Sequence, residues 1–210
     1  EAVVKVASPG ISKLSRYILP FLNMEVEVNE PPIQDAELII IVDTNTVKQL
    51  DMWASRILRV KAPIVFIDHH ASHPETEKIA EIYIFDEDAS STCEIVYGFY
   101  RELGLKPSVK EAEALFLGIS FDTKHFILAT SETFKILAEL VDLGVNARRV
   151  ISLLAVPMDL SERIARLKAC QRMKVLRAGE WLAVFTSVGS FQASVARALI
   201  DLGAHVAVVV

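Results

Sequence analysis

Two short apolar runs, each closed by an aspartate, constrain the fold more than any other feature. Ile39-Ile40-Ile41-Val42 leads into Asp43, and Ile64-Val65-Phe66-Ile67 leads into Asp68. Runs of four or more branched and aromatic residues with no polar alternation suit strands buried on both faces, the habit of parallel sheets. Around them, strand signals at residues 2–6, 24–28, 37–42, 63–67 and 79–85 interleave with helix signals at 12–22 and near 47–58. Helices then take over at 91–103, 108–119, 133–143 and 147–154. Ser91 with Glu94, and Ser108 with Glu111, have the spacing of a capping box.

A charged helix is expected over 157–174, followed by strand 181–185, helix 191–202 and strand 205–210. The expected fold class is therefore α/β. It comprises a parallel-sheet domain with a helical second half over 1–156, a linker helix over 157–174, and the opening of a second α/β domain over 175–210. That last piece, about 35 residues, is short for an independent core. Both ends read as strand with no turn beyond, so the chain is expected to be part of a longer protein.

Composition removes several classes of function. The 210 residues are 52% hydrophobic and 23% charged, which excludes a disordered chain. The net charge is −5 and no Lys/Arg run exceeds two residues, so there is no electrostatic footprint for duplex nucleic acid. Neither a signal-peptide pattern nor a membrane-spanning run is read in these 210 residues, so no membrane segment is expected in them. Cys93 and Cys170 lack metal-type spacing, and two isolated thiols point to a reducing, cytoplasmic setting.

The chemistry gathers at three aspartates. Asp43 and Asp68 end apolar strands, at the sheet edge where open α/β folds bind ligands. Asp122 follows the apolar helix ending Gly118-Ile119-Ser120-Phe121. Of five histidines, His69, His70, His73 and His125 lie within a few residues of these acids. Carboxylates with imidazoles suit Mn²⁺, Fe²⁺ or Zn²⁺ rather than a thiolate site. Plainer readings stand beside these. Asp43 alone reads as a turn or helix cap, and Asp122-Thr123 as a helix-end turn. His73 reads as a solvated loop residue, and His125 either as a substrate contact or as a surface histidine. Ser90-Ser91-Thr92 reads as a cap or as a phosphate contact at a helix start. The pair His69-His70 resists a structural account, because polar rings after a buried strand must face inward in part.

Taken together, IIIVDTNT (Asp43), VFIDHHAS (Asp68, His69, His70), FDEDASSTCEIVY (residues 85–97) and LFLGISFDTKHF (Asp122) resemble the DHH phosphoesterase superfamily. That group includes RecJ exonucleases, oligoribonuclease/phosphoadenosine-phosphate phosphatases, cyclic-dinucleotide phosphodiesterases and family II pyrophosphatases. The resemblance implies a metal-dependent phosphoesterase. Its metal ligands would be Asp43 (bridging two ions), His69 and Asp122. His70 would be catalytic and contact the substrate phosphate, and Asp68 would orient a histidine. Beside these, on the reading of the residues themselves, Ser91 and His125 would be further substrate contacts. The implied cofactor is Mn²⁺ or Mg²⁺, two ions in the complete protein. The implied partner is a phosphorylated small molecule or a short single-stranded oligonucleotide, with no membrane, and a homodimer is compatible with this reading. Residues 175–210 would begin a DHHA1-like domain.

Three departures matter. The family's first motif, a histidine followed by an Asp-x-Asp pair, is absent; its place reads Ala7-Ser8-Pro9-Gly10. Lys124 stands where a small residue usually follows the last Asp-Thr. The glycine-rich histidine motif of the family's second domain is not reached. A catalytically degenerate nucleotide-binding or regulatory module is therefore the alternative expectation. A nucleophile loop of the haloacid dehalogenase type at Asp43-Thr44-Asn45-Thr46 would need an aspartate where Asn45 stands.

Overall fold

Branched side chains pack well on a pleated surface, and both apolar runs form the strands expected of them. The computed structural model describes residues 2–155 and 158–210. They fall into two compact units, residues 1–156 and 157–210. Along the first unit run α1 (Lys13–Leu22), β1 (Ile39–Val42), a 3-10 segment (Val47–Trp53) continuing into α2 (Ala54–Ile57), and β2 (Ile64–Asp68). After these come α3 (Pro74–Ile79), β3 (Ile82–Phe85), α4 (Thr92–Glu102), α5 (Val109–Asp122), α6 (Ser131–Asp142) and α7 (Ala147–Ser152).

The sheet order is β1-β2-β3 and both pairings are parallel, with Ile41 beside Phe66 and Phe66 beside Tyr83. Parallel pairing makes each connection run back along the sheet, so all carboxyl ends share one edge. One sheet face is closed by Val47, Trp53 and Ile57, which join Ile41, Ile64 and Phe66 in a buried cluster. The helical half builds a second core from Leu115, Phe116, Ile119, Ile136, Leu140 and Val150, to which α1 adds Ile18.

Local signals fix the helices that matter for the site. Ser108 and Glu111 form the reciprocal box at the start of α5, with bonds of 2.7 and 3.3 Å. At α4 the Ser91 hydroxyl accepts from Glu94 N–H, but the Glu94 carboxylate reaches one residue further back, to Ser90 N–H at 3.1 Å. Helices α4 and α5 approach closely at Gly118: a Cβ there would sit 2.3 Å from Cys93 Sγ. The enclosed Cys93 thiol is pushed up to about 12 by burial, with the charges of Asp122 and Asp43 adding to it. It is a packing group rather than a nucleophile.

The structure corrects four element expectations. Residues 2–6 and 24–28 form no strands; they meet in a single parallel bridge, Ala7 to Glu27. An apolar or alternating stretch becomes a strand only where a partner lies beside it, and neither segment gains a ladder. The helix expected near 47–58 is broken at Asp51 (φ 51°, ψ −124°). Strand 79–85 begins only at Ile82, because residues 74–79 form α3. Proline at its first position and Glu75 and Glu77 in its first turn favour that helix. His73, read as a solvated loop residue, caps α3 by accepting from Glu75 N–H at 3.2 Å.

The second unit contains α8 (Leu160–Arg172), β4 (Lys174–Ala178), β5 (Trp181–Thr186), α9 (Gln192–Asp201) and β6 (Val206–Val209). The linker helix expected from Pro157 begins outside the described residues at that point. Its described part supplies Ala169 to a core with Val184, Val188, Val195 and Leu199. Strand β4 carries no buried-face pattern in the sequence, and all five of its residues are exposed. It pairs antiparallel with β5 across the two-residue loop Gly179-Glu180, and β6 pairs parallel on the other side of β5. Among the described residues no helix is long and apolar enough to cross a membrane.

Candidate metal centre

The carboxyl edge of the parallel sheet carries two aspartates in opposite environments. Asp68 ends β2 with its side chain fully buried. Its Oδ1 accepts from His69 N–H at 2.8 Å and from His70 Nδ1 at 2.7 Å. Its Oδ2 is buried without a hydrogen-bond partner. Asp43 follows β1 in the left-handed region at φ 57°, and its side chain is 52% exposed. Asp tolerates that conformation better than most residues, and such conformations cluster where function needs a fixed geometry.

The histidines bridge the two acids. His69 Nε2 lies 3.5 Å from Asp43 Oδ1, with its side chain 18% exposed. His70, half exposed, packs against His69 with ring centroids 4.2 Å apart and the planes tilted by 54°. The bond from Asp68 holds the His70 pKa above its ordinary value, against the opposing effect of burial. Ligand atoms of Asp43, Asp68, His69 and His70 all lie within 4.8 Å of one another. The loop beneath is tied down: Asn45 donates to Ala71 O at 3.2 Å, and Thr76 donates to Asn45 O at 2.5 Å. Asn45 therefore serves as a tether.

The other predicted residues divide. Asp122 ends α5, outside the group of four, yet it feels the same charges. Burial first and the Asp43 carboxylate second push it up to about 6, while His69 and His70 pull the other way. Ser91 is fully buried and caps α4. His125 is exposed at φ 57°, and its side chain makes no hydrogen bond or ion pair among the described residues. It belongs to a left-handed turn, Lys124-His125-Phe126, held by bonds from His125 N–H to Ser120 O and from Phe126 N–H to the Thr123 hydroxyl.

Sequence reasoning missed Thr92. As the first residue of α4 it donates to Asp43 Oδ1 at 3.1 Å, joining the helical half to the end of β1. The available signal was its place directly after the Ser91 cap, where a side chain at a helix start faces the strand edge. Divalent ions fit this donor set: oxygen and imidazole donors converge, one carboxylate oxygen is buried without a donor, and no cysteine sulfur takes part.

With this geometry the comparisons agree. The chain belongs to the DHH family: the description "DHH family, N-terminal domain" matches residues 4–119. It is 34% identical over 206 residues to an uncharacterized protein of Methanocaldococcus jannaschii, covering 98% of this chain and 61% of that protein. It is 31% identical over 128 residues to the bifunctional oligoribonuclease and PAP phosphatase NrnA of Bacillus subtilis, covering 59% of this chain and 39% of that enzyme. The chain thus spans less than two thirds of either relative. Its fold is similar to that of an exopolyphosphatase-related protein from Bacteroides fragilis, with a TM-score of 0.72 at 20% identity over 88% of this chain and 56% of that one.

Proposed function

We propose that this chain is a divalent-metal-dependent phosphoesterase acting on a nucleotide or short oligonucleotide. The carrying observation is the convergence of Asp43, Asp68, His69 and His70 at one sheet edge, with the buried Asp68 Oδ2 lacking any donor. Asp43, His69 and Asp122 would hold the ion, with manganese the best match to a carboxylate–imidazole set. In the whole protein a second ion would share Asp43. The bound metal would supply Lewis-acid polarisation of the phosphoryl group and an activated water.

The chain's own groups do the rest. Asp68 fixes the His70 ring through the 2.7 Å bond at Nδ1, leaving Nε2 to meet the phosphate. With its pKa raised, His70 carries a proton that offsets developing charge on phosphate oxygens. Thr92 holds the Asp43 carboxylate in place. Ser91 positions the start of α4, and His125 stands on the exposed turn after Asp122 as a further substrate contact. Residues 1–156 would be the DHH domain, and 175–210 the start of a DHHA1-like domain reached through 157–174. The oligoribonuclease and phosphatase activities of the Bacillus relative support the substrate class, and the two free cysteines support a cytoplasmic setting.

The test is hydrolysis of dinucleotides, cyclic dinucleotides and nucleoside bisphosphates with Mn²⁺, comparing the parent with Asp122→Asn. The expected loss is on the order of a hundredfold. An inactive parent, or a variant as active as the parent, defeats the catalytic reading and leaves the nucleotide-binding alternative.

A further inference from the structure

A second concave surface lies at the opposite edge of the parallel sheet. It is lined by parts of segment 30–36, ahead of β1, among them Glu30 and Gln34, and by parts of segment 56–62, which runs from α2 towards β2 and carries Arg56, Arg59 and Lys61. Ala36 and Ala62 precede β1 and β2, whereas Asp43 and Asp68 stand at their other ends. Strands of this length, at roughly 3.3 Å per residue, separate the two places by about 15 Å. The cavity of about 620 Å³ is within the range of small-molecule sites.

Its charge runs against that of the molecule. The chain carries a net charge of −5, yet this cavity presents three cations and one carboxylate. Glu30 engages Arg56 at 3.5 Å. Arg59 and Lys61 form no ion pair among the described residues. Uncompensated cations around a hollow raise the local concentration of anions, and a guanidinium matches phosphate oxygens in a bidentate fork. The remaining wall pairs the Gln34 amide with an apolar surface of Pro31, Ile33, Val60 and two alanines. A fully polar anion would leave that surface unused, whereas a ligand with a phosphate group and a flat apolar body fills both halves.

We propose that this cleft is a second binding site, distinct from the metal centre, for a nucleoside mono- or diphosphate. Arg59 and Lys61 would take the phosphates, and the apolar wall would take the base. No metal is required, because the cations are the protein's own.

The experiment is calorimetric titration of the 210-residue chain with ADP in EDTA, which disables the metal centre. Saturable binding that weakens as salt rises is expected. The double variant Arg59→Glu/Lys61→Glu, both positions exposed, should weaken it on the order of tenfold or more. Asp43→Asn should leave it unchanged, and amide shifts on titration should concentrate at residues 30–36 and 56–62. No saturation up to about 1 mM, equal affinity in the double variant, loss in Asp43→Asn, or equally tight binding of inorganic pyrophosphate would each overturn the assignment. Because the readout is binding without metal, its outcome is independent of whether the chain hydrolyses phosphoesters.

Discussion

Ile119, Leu140 and Val150 are fully buried in the helical half, on helices capped by Ser108, Thr130 and Asn146. At the sheet edge beside it, Asp68 is equally buried yet keeps an oxygen without a donor, and Asp43 holds a left-handed backbone. In the first region each local choice agrees with the fold; in the second, several oppose it. The two meet where Thr92, the first residue of α4, donates to Asp43. The lesson is that a well-packed scaffold tolerates a costly polar cluster, and that the cluster holds its geometry because the scaffold leaves it no alternative.

Substitutions that strike one region and spare the other sharpen this contrast. Leu140→Ala should have the largest effect, destabilising the chain by about 2–5 kcal/mol in denaturant unfolding. Once folded, it should bind Mn²⁺ with the parent's affinity; a large loss of affinity would show that the regions are not separable. Asp68→Asn should do the reverse. Its activity or metal affinity should fall about 10–100-fold, with stability nearly unchanged, because the amide keeps an acceptor for His69 and His70. Gly118→Ala strikes the close approach of α4 to α5 within the helical half, where the new methyl meets the Cys93 sulfur. It should cost about 1–3 kcal/mol, and a second change, Cys93→Ala, should recover most of that. A double variant no more stable than Gly118→Ala alone would remove this account of the close approach.

Two smaller effects follow. Lys124 sits at φ 50°, where a glycine bears no steric penalty. Lys124→Gly should raise stability by about 0.5 kcal/mol, the relief of strain exceeding the added chain entropy. The remaining effect concerns pH. In the folded chain Asp122 titrates at about 6, against an ordinary value of 3.8. A carboxyl with a raised pKa binds its proton more tightly when folded, so the metal-free protein gains stability as pH falls through 6 and loses it as pH rises. Metal-free Asp122→Asn should therefore melt higher than the parent at about pH 8, the gap closing by about pH 4. Added Mn²⁺ should reverse the order, because the parent alone keeps the third ligand.

What was legible in the chain was local and periodic. Unbroken apolar runs defined β1 and β2, and Ser-x-x-Glu spacings defined the starts of α4 and α5. The DHH strings gave the family, which the match over residues 4–119 bears out. Illegible were the features that need a partner in space. Residues 24–28 look like a strand and gain one bridge, while β4, exposed throughout, shows no buried-face alternation and becomes a strand because Gly179-Glu180 folds it onto β5. The same limit held at the site. Sequence placed Asp43, Asp68 and His69 near one edge, because parallel strands share a direction, and the family resemblance added Asp122 from a helix end. Only the tertiary structure decided that Asp68 is sealed with one oxygen unpartnered, that Thr92 reaches Asp43, and that Asp122 stands outside the tightest group. A residue's type and spacing set the direction in which its side chain leaves the backbone. How much water and which partners meet it there depend on packing from elements up to 49 residues away in the chain.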